Sequence, residues 1–404
     1  MKIFSNDYQS SIPGSGIMAH GGPPRFAINF SGYLAKKCHD WQGLVFKGGS
    51  DIEVASFKRL YSKQRKTLFE LSVPTKSIHS VTHAKRRLSS RRLLVKEISL
   101  VKEVLEEQKP DLVFLNGFSV TAWILFEAAR QSHLPVAIQH AGIFAREIRE
   151  YADRFSPAGR QICYQMERDT TKYAEVNIFL NRFSRDTLVK LLRVSKIKGE
   201  VIVPLPRPDW LDRRAPKVLG PRRSLESGLI IGVIARWDRI KNHPAILELA
   251  EEIKRTKLPW QIKSITKIPD GSANRLFKDK YKRAIKVLPL VNSGGLQKFL
   301  GSIDLLIVPS RFDVSPTVVM ESVVCDTPAL ISPQVGWVSE YERAGAGKWI
   351  IDFNRPNQVI KRIETLFQRQ NWPALVKFRQ VVRDKHDPEK VYRRYLDLFK
   401  QAVV

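Results

Sequence analysis

Between Ala235 and His243 the chain reads ARWDRIKNH, an arginine and a lysine set five residues apart after an apolar run. Arg236 offers a planar fork of donors and Lys241 a mobile point charge, a combination that suits two linked phosphates better than either cation alone. A second stretch, Ser310 to Leu330, carries acids in a different setting. Asp313 and Val314 lie just before a predicted helix start at Ser315 and Pro316, where Ser caps and Pro fits the first turn, leading into Thr317. Glu321 follows among Val318, Val319, Met320, Val323 and Val324, with no basic residue three or four positions away. A carboxylate buried there needs donated hydrogen bonds, and the vicinal hydroxyls of a ribose supply them. The alternatives are a solvated basic loop for the first stretch and, for Glu321, a structural carboxylate held by a distant Arg or a backbone amide.

These residues need a scaffold of strands and helices. Leu229 to Ile234 reads as a buried parallel strand and ILELAEEI has helical spacing, which puts Arg236 and Lys241 at a strand-to-helix turn. Ligands of open α/β sheets bind there, near helix N-termini that favour anions. Short apolar runs alternate with helical patterns almost throughout, which predicts α/β architecture with parallel sheets. Strands are expected at Trp41 to Lys47, Asp111 to Asn116, Pro135 to His140 and Val176 to Leu180, then near Leu229, Gln261, Ile285, Leu305, Ala329 and Trp349. A long helix is expected from Lys85 to Glu107, ending before Pro110, and one amphipathic helix in the final stretch, with Val391, Tyr395, Leu396 and Phe399 on one face.

The Pro- and Arg-rich segment from Pro204 to Glu226 is the best boundary. It implies an N-terminal domain over 1–205, a linker over 206–226, a C-terminal domain over 227–375 and a terminal helix over 376–404 packing back toward the N-terminal domain. Two such α/β domains on one linker would leave a cleft between them.

With 404 residues, 43% hydrophobic and 27% charged, the composition is that of a folded soluble protein. Charge is the outlier. The 68 Lys and Arg against 40 Asp and Glu give +28, which implies an anionic partner or surface. Cys38, Cys163 and Cys325 lack metal-ligand spacing and are expected as reduced thiols in a cytoplasmic protein. The start MKIFSNDYQSS has no signal-peptide core, and no apolar stretch nears the roughly 18 residues of a membrane span, so any membrane contact is expected to be peripheral.

Taken together, these residues resemble the family 4 glycosyltransferases (glycosyl transferases group 1), retaining enzymes of the GT-B fold, in which two Rossmann-like doubly wound domains face each other across a cleft. The resemblance implies that Arg236 and Lys241 bind the diphosphate of a nucleotide sugar. It implies that Asp313 touches the donor sugar and Glu321 the ribose, although the family normally has glutamate at both positions. The family's Cys-Gly-Thr-Pro reads Cys325-Asp326-Thr327-Pro328 here. His140, in IQHAGI, falls where family members carry a His reaching the donor sugar, and VGWVSE, ending at Glu340, matches a segment lining the donor pocket. HGGPPRF resembles the N-terminal glycine loop, where Gly21 and Gly22 would let amides approach a ligand; a plain loop is the alternative.

The implied reaction transfers a sugar to an acceptor hydroxyl with retention and with no cofactor beyond the donor. Arg236, Lys241 and the amides before the Ser315 helix would stabilise the departing diphosphate. No DxD-type acidic pair stands out, so no metal site is expected.

Two basic clusters without acids, Lys58, Arg59, Lys63, Arg65, Lys66 and Lys85, Arg86, Arg87, Arg91, Arg92, Lys96, fall in the half that binds acceptors in the resembling family. An acceptor that is lipid-linked or a cell-surface glycan precursor, at an anionic cytoplasmic leaflet, would use them; a solubilising surface is the alternative. Three rivals remain, one of them a nucleotide-sugar epimerase of the same fold. A nucleic-acid-binding protein has the charge in its favour but no recognition motif, and a catalytically degraded GT-B binding protein would explain Asp313 and Asp326. An oxidoreductase is disfavoured, because no GxGxxG follows a strand.

Overall fold

The computed structural model describes residues 1–13, 15, 22–86, 88–211, 222–269 and 274–404. The chain divides into two compact units, Met1–Pro206 with Glu389–Val404, and Arg207–Pro388. Both are doubly wound α/β structures.

The first unit is built on β1 (Lys2–Asp7), β2 (Asp40–Gly49), β3 (Ser56–Lys63), β4 (Lys66–Pro74), β5 (Leu112–Asn116), β6 (Val136–His140), β7 (Val176–Phe179) and β8 (Glu200–Ile202). Their order is β3-β4-β2-β1-β5-β6-β7-β8, parallel except where β3 runs antiparallel to β4. Strands β5, β6 and β7 are buried along their whole length, as expected of strands covered by helices on both faces. The second unit has β9 (Ile230–Ile234), β10 (Gln261–Ile265), β11 (Lys286–Leu288), β12 (Leu305–Val308) and β13 (Ala329–Ile331), all parallel in the order β11-β10-β9-β12-β13. Each sheet reverses its winding once, between β1 and β5 in the first and between β9 and β12 in the second.

Several elements differ from the sequence expectation. Near Trp349 there is a 3-10 turn, Gly347–Trp349, and only an isolated bridge from Ile350 to Ile331. The helix expected from Lys85 to Glu107 is two pieces, Ser90–Leu93 and Val95–Gln108. They meet at Leu94, which is fully buried in non-helical backbone.

The helix expected over 376–404 is also two. Pro373–Lys385 belongs to the second unit, whereas Pro388–Val403 packs in the first, where the Tyr395 ring lies tilted against Phe26 at 4.8 Å and its hydroxyl donates to Gln139 Oε1 at 2.6 Å. Pro388 has no N–H to continue the preceding helix, which explains the break.

The linker expected over 206–226 is docked at both described ends. Leu211 is in the core of the second unit, and Arg222 donates to the carbonyls of Leu300, Ile303, Cys325 and Asp326. Its middle lies outside the described residues.

Candidate functional site

Three connections follow the carboxyl ends of β9, β12 and β13, and the sequence-predicted residues of the second half sit on them. Gly232 lets β9 lie against Ile303 and Phe299, where a Cβ would collide with both. The chain then leaves the sheet at Ile234 and re-enters a helix at His243. The stretch between is fixed locally. Asp238 accepts from the Ile240 N–H at 3.0 Å, and Asn242 takes left-handed backbone (φ 56°) that Asn tolerates.

His243 is buried and bridges Arg236 O at 2.8 Å and the Tyr281 hydroxyl at 3.2 Å, while its ring stacks on Trp237. Burial holds its pKa below the usual value. A neutral ring donating from Nε2 to the Arg236 carbonyl and accepting at Nδ1 satisfies both contacts. Asn242 and His243 were not singled out from sequence, and neither has a motif of its own.

The loop after β12 meets this turn. Lys241 Nζ pairs with Asp313 Oδ2, and both side chains are largely shielded, at 20% and 14% exposed. Arg311 ties the same loops together, its N–H donating to Ile240 O at 2.7 Å and its Nε to Asn242 Oδ1 at 3.3 Å. The segment after β13 clamps the Asp313 backbone: Asp313 N donates to Gln334 O at 3.1 Å and Gly336 N to Asp313 O at 2.9 Å. Trp337 Nε1 donates to Pro316 O at 3.0 Å. Arg236, by contrast, is 73% exposed, with Asp238 at 3.8 Å.

The helix after this loop is Thr317–Val324. Its cap position is Pro316 and no side chain caps it, so Ser315 is not the cap that the sequence suggested. Val314 is buried and Ser315 and Thr317 are partly exposed at the entry to the helix. Glu321 is 2% exposed, inside the unit as expected. Glu340 is engaged by Arg343 Nη2 at 2.6 Å and by the Ser339 hydroxyl at 2.8 Å.

The departure at Asp326 has a structural explanation. Its backbone is left-handed, φ 60°, the conformation that favours glycine. Its carboxylate is bound by Arg379 from the helix Pro373–Lys385, both side chains being nearly buried. Cys325 is buried beside it and forms no disulfide.

The first-half candidates are arranged differently. Gly21 and Arg87 lie outside the described residues, and Gly22 opens the helix Gly22–Lys36. His140 is fully buried, stacked on Phe179 with Nε2 2.9 Å from Asn177 Oδ1, and burial pushes its pKa down to about 4. That ring is enclosed by its own unit and presents no exposed atom to a ligand, unlike the sugar contact implied for it.

The clusters expected to lack acids have them in space. Lys58 pairs with Glu70 at 3.2 Å, Arg65 with Asp40 at 3.1 Å and Arg91 with Glu127 at 2.6 Å. Lys66 is half-buried, and burial lowers its pKa. Arg59, Lys63, Arg86 and Arg92 are exposed. Among the described residues, no group of three or more His, Cys, Asp or Glu is placed to hold a metal ion, and no helix is long and apolar enough to cross a membrane.

Solved structures share this architecture. The chain aligns with a sucrose-phosphate synthase from Thermosynechococcus elongatus at TM-score 0.74 and 13% identity, covering 99% of this chain and 98% of that one. An E. coli structure described as trehalose-6-phosphate bound with UDP-2-fluoro glucose aligns at TM-score 0.70 and 12% identity, over 99% of both chains. A glycosyltransferase from Rickettsia africae aligns at TM-score 0.62 and 14% identity, over 100% and 98%. No curated protein sequence matches. The fold is GT-B, two Rossmann-like domains in one chain. Residues 222–384 match the family model described as glycosyl transferases group 1.

Proposed function

We propose that the protein is a retaining glycosyltransferase that moves a sugar from a nucleoside-diphosphate sugar to an acceptor hydroxyl without a metal ion. The observation that supports this most is the Lys241–Asp313 pair at the switch point of the second sheet, a cation and a carboxylate side by side where such sheets bind ligands.

As the bond between the anomeric carbon and the diphosphate oxygen breaks, its electron pair leaves with the diphosphate. Lys241 and Arg236 stabilise that growing charge more than they stabilise the ground state, which lowers the barrier. Donor arrival exchanges partners: the Lys241 ammonium turns from Asp313 to the phosphates, and Asp313 accepts from hydroxyls of the sugar. Glu321 accepts from the ribose hydroxyls. The backbone around Val314, Ser315, Pro316 and Thr317 faces the diphosphate. The acceptor oxygen bonds to the anomeric carbon on the face the diphosphate leaves and gives its proton to the departing phosphate oxygen, so configuration is retained.

For the acceptor we propose a lipid-linked or cell-surface glycan precursor, handled in the cytoplasm at the inner face of the membrane. The net charge of +28 and the exposed Arg59 and Lys63 on the β3–β4 edge support it. Co-sedimentation with anionic and neutral liposomes at low salt tests the location; equal indifference to both contradicts it. Transfer or hydrolysis measured across a panel of nucleotide sugars, with Lys241→Ala as control, tests the chemistry. Turnover of one donor that collapses in the variant is the expected result, and no turnover of any donor counts against it.

A further inference from the structure

The first unit holds a cavity of about 670 Å³ that none of the residues discussed for the donor line. Its walls come from the start of Ser90–Leu93 and from the helices Val120–Gln131, Phe144–Glu150 and Pro157–Tyr173. Three arginines line it, Arg91, Arg149 and Arg160.

Arg91 is held in place from behind. Its Nε donates to Glu127 Oε1 at 2.6 Å, and Arg130 Nη2 donates to the same oxygen at 2.8 Å. Glu127 is fully buried. Burial works to raise its pKa, but the bonds from Arg130 and Arg91 outweigh that and hold it low, so it stays ionised. The Nη groups of Arg91 are left without a protein partner among the described residues, and neither Arg149 nor Arg160 has a carboxylate partner there.

A second observation is independent of these charges. Trp123, 2% exposed, also lines the cavity, and its indole Nε1 has no hydrogen-bond partner. Buried indole donors ordinarily find one, because an unmade bond leaves the desolvation cost uncompensated. Asp169 is the one acid in the lining, and its carboxylate already accepts from Gln165 at 2.6 Å. Leu88 and Ile162 give the cavity an apolar wall.

We propose that this cavity is a binding site for a phosphate monoester, with Arg91, Arg149 and Arg160 on the phosphate oxygens, Trp123 Nε1 donating to the ligand and the apolar wall taking its organic part. Fork-shaped donors match phosphate geometry, and three of them exceed what one carboxylate neutralises. The ester is either a free metabolite or the headgroup of a phospholipid. The site is separate from the diphosphate site proposed at Lys241.

Equilibrium dialysis of the full chain against labelled glycerol 3-phosphate tests it, with inorganic phosphate as competitor. Saturable one-to-one binding is expected, weakened about tenfold or more by Arg149→Gln with Arg160→Gln, which each remove a charge-assisted bond. Trp123→Phe keeps the ring, removes the N–H and is expected to weaken binding several-fold, so a failure of the double variant to fold does not remove the test. Lys241→Ala leaves this binding unchanged.

Vesicles of phosphatidic acid and of phosphatidylcholine separate the sources. Phosphatidic acid binding that needs both arginines and is competed by the soluble ester assigns a lipid headgroup, whereas ester binding without such dependence on vesicles assigns a free ester. No saturable binding up to about 10 mM, where affinity is too weak to mark a built site, overturns the proposal. So does binding that survives all three substitutions or is lost with Lys241→Ala.

Discussion

Lys241 and Asp313, 72 residues apart, meet as an ion pair where the second sheet reverses its winding. Under the proposed function Asp313 competes with the diphosphate for the Lys241 ammonium. Asp313→Asn therefore has opposite effects on two measurements. The affinity for the cognate nucleoside diphosphate, by calorimetry, rises several-fold because its competitor is neutral, while sugar transfer falls by about tenfold or more for want of the carboxylate. Weaker diphosphate binding in this variant would show that the two groups act together on the ligand and do not compete.

Arg379 is what makes Asp326 tolerable. Removing it, as Arg379→Leu, leaves a carboxylate nearly buried beside a strained backbone and is expected to cost about 3 kcal/mol in urea denaturation. Adding Asp326→Gly to that variant restores most of the loss, since glycine accepts φ 60° and brings no charge. An additive pair of changes would remove this explanation of the departure from Cys-Gly-Thr-Pro.

His140 gives a pH dependence of known sign. Its folded pKa, about 4, lies below the ordinary 6.5. Above pH 6.5 both folded and unfolded chains hold it neutral and its contribution is complete. As pH falls toward 4 the unfolded chain takes up a proton that the folded one refuses, and stability drops by up to roughly 3 kcal/mol from this ring. Denaturation of the wild type and of His140→Gln across that range reads it directly: the variant's slope against pH is smaller by about one proton. Parallel slopes would mean that the ring is protonated inside the fold.

Glu321 is assigned to the ribose, so it should report on ribose hydroxyls and not on phosphates. A nucleoside diphosphate is expected to bind the wild type about tenfold more tightly than its 2′,3′-dideoxy analogue, and Glu321→Gln to narrow that gap. A thermal melt of the variant separates this from loss of the fold. An unchanged ratio assigns Glu321 to the framework of the helix.

Much of this architecture is legible in the sequence where one physical signal dominates. Strands β9 and β12 are apolar throughout and β5, β6 and β7 largely so, and burial on both faces is what makes them so. Strand β1 is not legible, because four of the six residues of KIFSND are polar. Two of those residues also take distant partners: Asp7 accepts from Trp41 Nε1 at 2.9 Å and Asn6 from the Asn116 N–H at 2.7 Å. The edge hairpin β3–β4 read as a basic cluster because its charges are near neighbours in sequence, whereas Glu70 and Asp40 join them only when the sheet forms.

At the candidate site the residue types were legible and their pairing was not. Lys241 and Asp313 each stand in a recognisable stretch, yet nothing local says that they touch. Arg379 carries no motif, and its role follows from a helix folding back on Asp326. His140 sits at a strand end, as expected, but a strand end inside a sheet covered by Phe179 is interior.

The most direct measurement is calorimetric titration of the wild type and Lys241→Ala with a panel of nucleoside diphosphates. One member is expected to bind the wild type saturably, with affinity falling about tenfold or more when the ammonium is removed. Equal affinity in the two proteins, or no binding of any member, would contradict the assignment of the turn after β9 as the diphosphate site.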